Sequence, residues 1–243
     1  SEPATPFSFT TRIDPIIYDL PWLEDFTATA FPPEDWARYT GLYPTEALTP
    51  CTSGWYRSNF AYSASPANPA AILHISSNIS KHWLLTPPIS IPAGAYRLSF
   101  DLALTQRNNS NPVDPALQQD DRFMVFIADN PSMVDATPLR EWNNTGSAYV
   151  YNAISHTGTK QYLDLSSHSG VKYIGFYGES TVSGGGGSVY VDNVLMDETP
   201  DAPVWAYTPD AIDFGQVNYN TPGETMSVTV TNIGSGVINL DAD

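Results

Sequence analysis

The stretch "AYRLSFDLAL", Ala95–Leu104, sets Tyr96, Leu98, Phe100, Leu102 and Leu104 at one parity and Arg97, Ser99 and Asp101 at the other. Side chains alternate across a β-strand with a period of two, so the run reads as a strand with one apolar face. Similar runs lie on both sides of it: "AILHIS" from Ala71, "HWLLT" from His82, "RFMVFIAD" from Arg122, "KQYLDL" from Lys160, "VKYIGFYG" from Val171 and "SVYVDNVLM" from Ser188. Each is bounded by Pro, Gly, Asn or Ser, and none carries a helical period. "RFMVFIAD" and "VKYIGFYG" are apolar at both parities, which predicts central strands covered on two sides. So many strands without helices predict an all-β chain, a two-sheet antiparallel sandwich of the jelly-roll type.

The pattern divides the chain. Residues 1–17 read as a lead-in or edge strand, 18–198 as the sandwich and 199–209 as a Pro- and acid-rich linker. From 210 to 243 strand and turn signals resume, as in the start of an immunoglobulin-like β segment. Such a domain needs about 100 residues and seven strands, so this one reads as truncated. Gly184–Gly187 enter a strand instead of a helix and are followed by no Lys-Ser/Thr, which excludes a phosphate loop. They read as a hairpin loop between the two strands that flank them.

Ten Lys and Arg face 26 Asp and Glu, a formal charge of −16. That sign excludes nucleic acid and anionic membrane surfaces as partners and favours cations. No run approaches the roughly 18 apolar residues of a membrane span. "SEPATPFSFT" lacks the charged and apolar regions of a leader, so the chain reads as a mature or excised piece. Low charge with many Pro, Gly, Tyr, Ser and Thr is typical of extracellular β modules. The single cysteine, Cys51, leaves no intramolecular disulfide, so a secreted reading must find its staple elsewhere, and a bound metal could serve.

Two acids stand in apolar strands. In "SVYVDNVLM" Asp192 shares one parity with Tyr190, Val194 and Met196, and Val189, Val191 and Leu195 take the other. A carboxylate buried there costs several kcal/mol unless paired or liganded, and basic partners are few. In "LPWLEDF" Glu24 lies between Trp22 and Phe26, next to Asp25. If the two strands are neighbours, a Ca²⁺ ion, which takes six to eight oxygens, would relieve the repulsion. This predicts a structural Ca²⁺ on Glu24 and Asp192, with Asp25 and Asp101 as candidate further ligands; the competing reading is that these acids accept turn N–H groups. "RNNSNPVDPALQQDD", with Asp114 and Asp120, is long enough to be a binding loop. Trp55, Tyr56, Trp142 and Tyr149 sit in polar contexts and are candidate sugar-stacking platforms, against a core role for each. The four histidines lie in separate segments and no nucleophile or metalloprotease motif is present, so no enzyme activity is expected.

Three segments, "LPWLEDFTATAFPPEDW" (Leu20–Trp36), "KHWLLTPPISIPAGAYRLSFDLAL" (Lys81–Leu104) and "VKYIGFYGESTVSGGGGSVYVDNVLMDE" (Val171–Glu198), resemble in their order the cleaved-adhesin or choice-of-anchor J family, which is related in architecture to MAM domains. The tail, through "IDFGQV" and "VTVTNIGSG", resembles choice-of-anchor D or Hydin-type immunoglobulin-like domains. The resemblance implies a noncatalytic adhesion or binding module, often calcium-bound, within a longer secreted or cell-surface bacterial polypeptide. Its partners would be a glycan or a host or cell-surface protein, besides other domains of the same chain. The acidic opening and the closing aspartate, expected to hold calcium in that family, map to Glu24 and Asp192; the sequence departs from the pattern at Thr27 and Asn193. The alternatives are a carbohydrate-binding module serving an enzyme elsewhere in the parent chain, and a jelly-roll glycoside hydrolase. The latter needs two carboxylates about 5 to 9.5 Å apart across an open cleft.

Overall fold

A computed structural model describes residues 15–64, 67–76, 80–113, 121–143, 154–180, 186–208 and 225–238. In chain order the strands are β1 (Trp22–Glu24), β2 (Ala37–Thr40), β3 (Thr49–Pro50), β4 (Tyr56–Asn59), β5 (Pro69–Ser76), β6 (Ser80–Leu85), β7 (Ile89–Ile91) and β8 (Tyr96–Gln106). They continue as β9 (Arg122–Ala128), β10 (Thr137–Asn143), β11 (Thr159–Asp164), β12 (Gly170–Ser180), β13 (Gly186–Glu198), β14 (Trp205–Thr208) and β15 (Thr229–Asn232). One sheet has the order β11-β8-β13-β5-β4, with β1 also on β13; the other has β10-β9-β12-β6-β2-β3, with β7 also on β12. The strand pairs within both are antiparallel. The fold is an all-β sandwich.

The core between the sheets is what the alternation dictates. Leu98, Phe100, Leu102 and Leu104 from β8 meet Phe123, Val125 and Ile127 from β9 and Ile174 and Phe176 from β12. The doubly apolar strands are covered on their outer side too. Met124, Phe126 and Tyr177 pack there with Trp83 and Met133, joined by Tyr43 and Leu48 from the loop after β2. That layer carries a buried polar knot: Tyr177 Oη donates to Glu179 at 2.6 Å, and the Arg122 guanidinium donates to the same carboxylate oxygen at 2.7 and 2.9 Å.

Gly178 fixes how closely the sheets approach. A Cβ there would stand 2.3 Å from Leu73 Cδ2 and 3.0 Å from Ile75 Cδ1 across the core. Gly178→Ala is therefore expected to overpack the interface and lower stability by about 1–3 kcal/mol, read as a shift in urea midpoint at unchanged m-value.

Two expectations change. Strands β12 and β13 belong to different sheets, so they do not form a hairpin with each other. Gly186 and Gly187 themselves lie in β13, paired with Ser76 and Ile75, whereas Gly184 and Gly185 fall outside the described residues. The even alternation read in "SVYVDNVLM" is also broken. Asp192 pairs with Asp101 but Leu195 with Ser99, so β13 holds one extra residue, with Asn193 at φ 49°. The bulge exchanges faces: Val194 and Met196 join Val189 and Val191 in the core, and Tyr190 packs on the outer face with Ile72 and Ala103.

Beyond the sandwich, β14 and β15 form a separate antiparallel ribbon. Arg97 joins it to the first sheet, holding Asp197 through two 3.0 Å bonds and donating to the Ile233 carbonyl at 2.5 Å.

Candidate functional site

The acids meet at a break in the first sheet. Along one edge β13 pairs with β5 up to Val191, opposite Ala71, and with β1 from Val194, opposite Glu24. Asp192 and Asn193 fall between the two partners. The antiparallel register brings Asn68, just before β5, and Asp25, just after β1, to the same gap, while Asp101 lies opposite Asp192 on the other edge. Phe26 turns the chain away with φ 52° and plants a fully buried ring in the core. Arg57 braces the turn by donating to the carbonyls of Phe26 and Thr27 at 2.7 and 3.2 Å.

Asp192 is 1% exposed. Burial pushes its carboxyl up to about 6, with Asp101 and Asp25 adding repulsion and bonds from the Asn193 N–H and the Asn68 side chain offsetting part. Burial likewise raises Glu24, opposed by the Phe26 N–H and reinforced by Asp25. Asp25 moves the other way, held down by the Thr27 hydroxyl and N–H. The four acids thus share one neighbourhood in which two are hard to ionise.

Their oxygens have local partners, as the competing reading anticipated. Glu24 accepts from Phe26 N at 2.7 Å, Asp25 from Thr27 N at 3.0 Å and Asp192 from Asn193 N at 2.7 Å. Asp101 accepts from Asn193 Nδ2 at 2.7 Å and pairs with Lys160 at 2.8 Å. Among the described residues no three Asp, Glu, His or Cys side chains converge as a ready metal cage. The donor chemistry still fits a hard cation, since Glu24, Asp25 and Asp192 offer carboxylate oxygens and Asn68 an amide oxygen. Glu24, Asp192, Asp25 and Asn68 are the side chains that would hold it. Asp101, tied to Lys160, is the least free of the four predicted ligands.

The aromatic candidates separate by burial. Trp55 is 0% exposed, its indole N–H donating to the His82 carbonyl at 3.3 Å and its ring beside Phe123. Trp142 is 5% exposed, between Phe123 on the core side and the Arg140 guanidinium, 4.8 Å from its ring. Neither presents an open face, so both leave the set of stacking platforms and belong to the core. Their sequence neighbours Tyr56 and Glu141 are exposed, while the two indole rings are buried. Tyr56 is 37% exposed, and Tyr149, Asp114 and Asp120 lie outside the described residues. The sequence reading missed Tyr62, 45% exposed; its αL turn, φ 52° at Ala61 and 56° at Tyr62, has no glycine to announce it.

Tyr56 belongs to a short relay. Its hydroxyl meets His74 Nε2 at 2.5 Å, and His74 Nδ1 meets Ser188 Oγ at 2.7 Å. The far partner of the imidazole is a phenol and Ser188 is fully buried, so these three residues brace β4, β5 and β13 from outside.

No protein-family model matches the chain, and a search of curated proteins returns no match. Several solved structures are similar. The K1 cleaved adhesin domain of Lys-gingipain from Porphyromonas gingivalis W83 is 16% identical, over 73% of this chain and 98% of that domain, with a TM-score of 0.48. TmCBM61, solved in complex with β-1,4-galactotriose, is 12% identical over 68% of this chain and 89% of its own, with a TM-score of 0.40. A xylan-binding domain from CBM 22 is 8% identical over 73% and 93%, also with a TM-score of 0.40. At these identities the likeness is one of fold.

Proposed function

We propose that the chain is a noncatalytic binding module of a larger secreted or cell-surface polypeptide, stabilised by a calcium ion at the gap beside Asp192. The single observation that carries this reading is Asp192 itself. It is a carboxylate buried at a break in a sheet, with two other acids raising its charge cost and no Lys or Arg partner among the described residues. The ion would neutralise the pair Glu24 and Asp192 and tie the end of β1 to β13. Residues 18–198 are the calcium-bound sandwich in this reading, and the segment from 210 belongs to a following immunoglobulin-like unit.

The test is thermal unfolding after EDTA treatment, titrated with Ca²⁺ and in parallel with Mg²⁺. At a hundred times the dissociation constant, calcium should add about 2.7 kcal/mol, which for a chain of this size raises the melting temperature by roughly 5–10 °C. Magnesium should do much less, because it demands tighter octahedral geometry and dehydrates reluctantly. A melting temperature and native mass unmoved by calcium would remove the ion from the proposal.

A carbohydrate ligand is the binding partner that one further observation favours. Tyr56 and Tyr62 are both exposed and lie close enough for Tyr62 to act on Tyr56, which offers a sugar two aromatic rings.

A further inference from the structure

The outer face of the β8-β13-β5-β4 sheet carries a small buried patch of Ile72, Ala103 and Tyr190, roofed by Phe60 and Ala61. Next to this roof opens a cleft of about 740 Å³, built from Ala61–Ala64, Asn109–Asn111, His156 and Thr157. Three separate loops converge on it. Tyr62 supplies its aromatic wall, and Asn111, His156 and Thr157 supply an amide, an imidazole and a hydroxyl that can hydrogen-bond. Its size suits two or three sugar rings.

At the edge of this region stands Arg107. Its N–H donates to the Gly186 carbonyl at 3.0 Å. Two residues earlier Thr105 pairs with Ser188, which pairs with His74. A step of two along a strand returns to the same face, so Arg107 stands on the side of Tyr56, His74 and Tyr62. Its charge is felt by both His74 and Tyr56, and Tyr62 lies close enough to act on Tyr56 in turn.

The other described basic side chains are engaged. Lys81, Arg97, Arg122, Lys160 and Lys172 hold carboxylates; Arg38 and Arg57 hold carbonyls; Arg140 covers Trp142. Among the described residues Arg107 alone has no carboxylate, carbonyl or ring partner. In a chain of charge −16 a free cation on a polar aromatic face is informative. The acids that β8 and β13 carry on this face, Asp101 and Asp192, are six residues back along their strands, about 20 Å away. That exceeds a Debye length of about 8 Å at physiological salt, so these two carboxylates are largely screened from Arg107.

The geometry points to a binding site for an anionic oligosaccharide, one bearing a carboxylate or a sulfate, with Tyr62 stacking a sugar ring in the cleft and Arg107 holding the anion. Arg107 is the specificity-determining residue: a planar guanidinium takes either anion through paired N–H donors. This rests on the carbohydrate reading above and adds the charge and place of the ligand.

The experiment is a microarray of uronate-, sialate- and sulfate-bearing oligosaccharides beside their uncharged parents, probed with the whole chain in calcium. At least one anionic glycan should bind at least roughly tenfold tighter than its parent, the preference shrinking as salt rises from about 50 to 500 mM. Arg107→Gln should bring that affinity to the level of the parent. Tyr62→Gly, which accepts the αL backbone, should lose both. Melting temperatures of both variants should match the wild type. Equal binding of charged and neutral glycans, or a preference that survives Arg107→Gln, overturns the inference and leaves the carbohydrate reading standing. Binding that survives Tyr62→Gly overturns the location, and silence across the array overturns inference and carbohydrate reading together. The calcium proposal is judged separately by its melting shift.

Discussion

Asp192→Asn is expected to erase the calcium-dependent rise in melting temperature and, in EDTA at pH 7, to leave the protein more stable than the wild type. The folded-state value of about 6 lies above the ordinary 3.8. Its contribution to stability is therefore fully present below pH 4 and is lost as pH rises through 6. At pH 7 the buried charge costs up to roughly 3 kcal/mol, which the amide avoids. Glu24 is raised in the same sense and Asp25 is lowered, so the difference between variant and wild type isolates Asp192. Calcium reverses the profile. The ion takes the ionised carboxylate, so its stabilisation should be small at pH 5 and full by pH 7.5. A variant that still gains stability with calcium would place the ion elsewhere.

Trp55→Ala should be the most damaging single substitution of those considered, costing about 3–5 kcal/mol. The loss combines a large cavity beside Phe123 with an unpaired carbonyl at His82, both under full burial. Equilibrium unfolding in urea reads it directly. A fall of less than about 0.5 kcal/mol, the range of surface substitutions, would contradict the core assignment and restore Trp55 as a ligand residue.

What was legible in the sequence follows from periodicity. The run at Ala95 could place Leu98 through Leu104 in the core because alternation over ten residues admits one register. Met124 and Phe126 on one side of β9 with Phe123 and Val125 on the other could be read as double coverage because both parities were apolar. The meeting of "LPWLEDF" and "SVYVDNVLM" was legible as well, since each set an acid among apolar neighbours. Hidden were features that depend on a single residue or on distant partners. The bulge at Asn193 leaves no mark in composition, so Val194, Met196 and Tyr190 were set on one face. Short strands such as β4 are too brief for periodicity to orient, and the polar context of "SGWYRSN" concealed that Trp55 points inward. The exchange of sheets between β12 and β13 is invisible locally, because a glycine run between two strands does not say which sheet the second one joins. Tyr62 depends on a turn with no glycine signature, and Arg107 stands out only once the partners of the other cations are known.

The extra residue in β13 sets an unequal tolerance to change. Substituting Asn193 alters one turn, and deleting it would restore strict alternation with Val194 and Met196, both fully buried, still facing the core and Leu195 still opposite Ser99. The same deletion made among Val194, Leu195 and Met196 would leave the bulge in place and turn the residue after it to the wrong face. In a comparison of related chains, a one-residue difference in the length of β13 should therefore fall at Asn193 and not between Val194 and Met196.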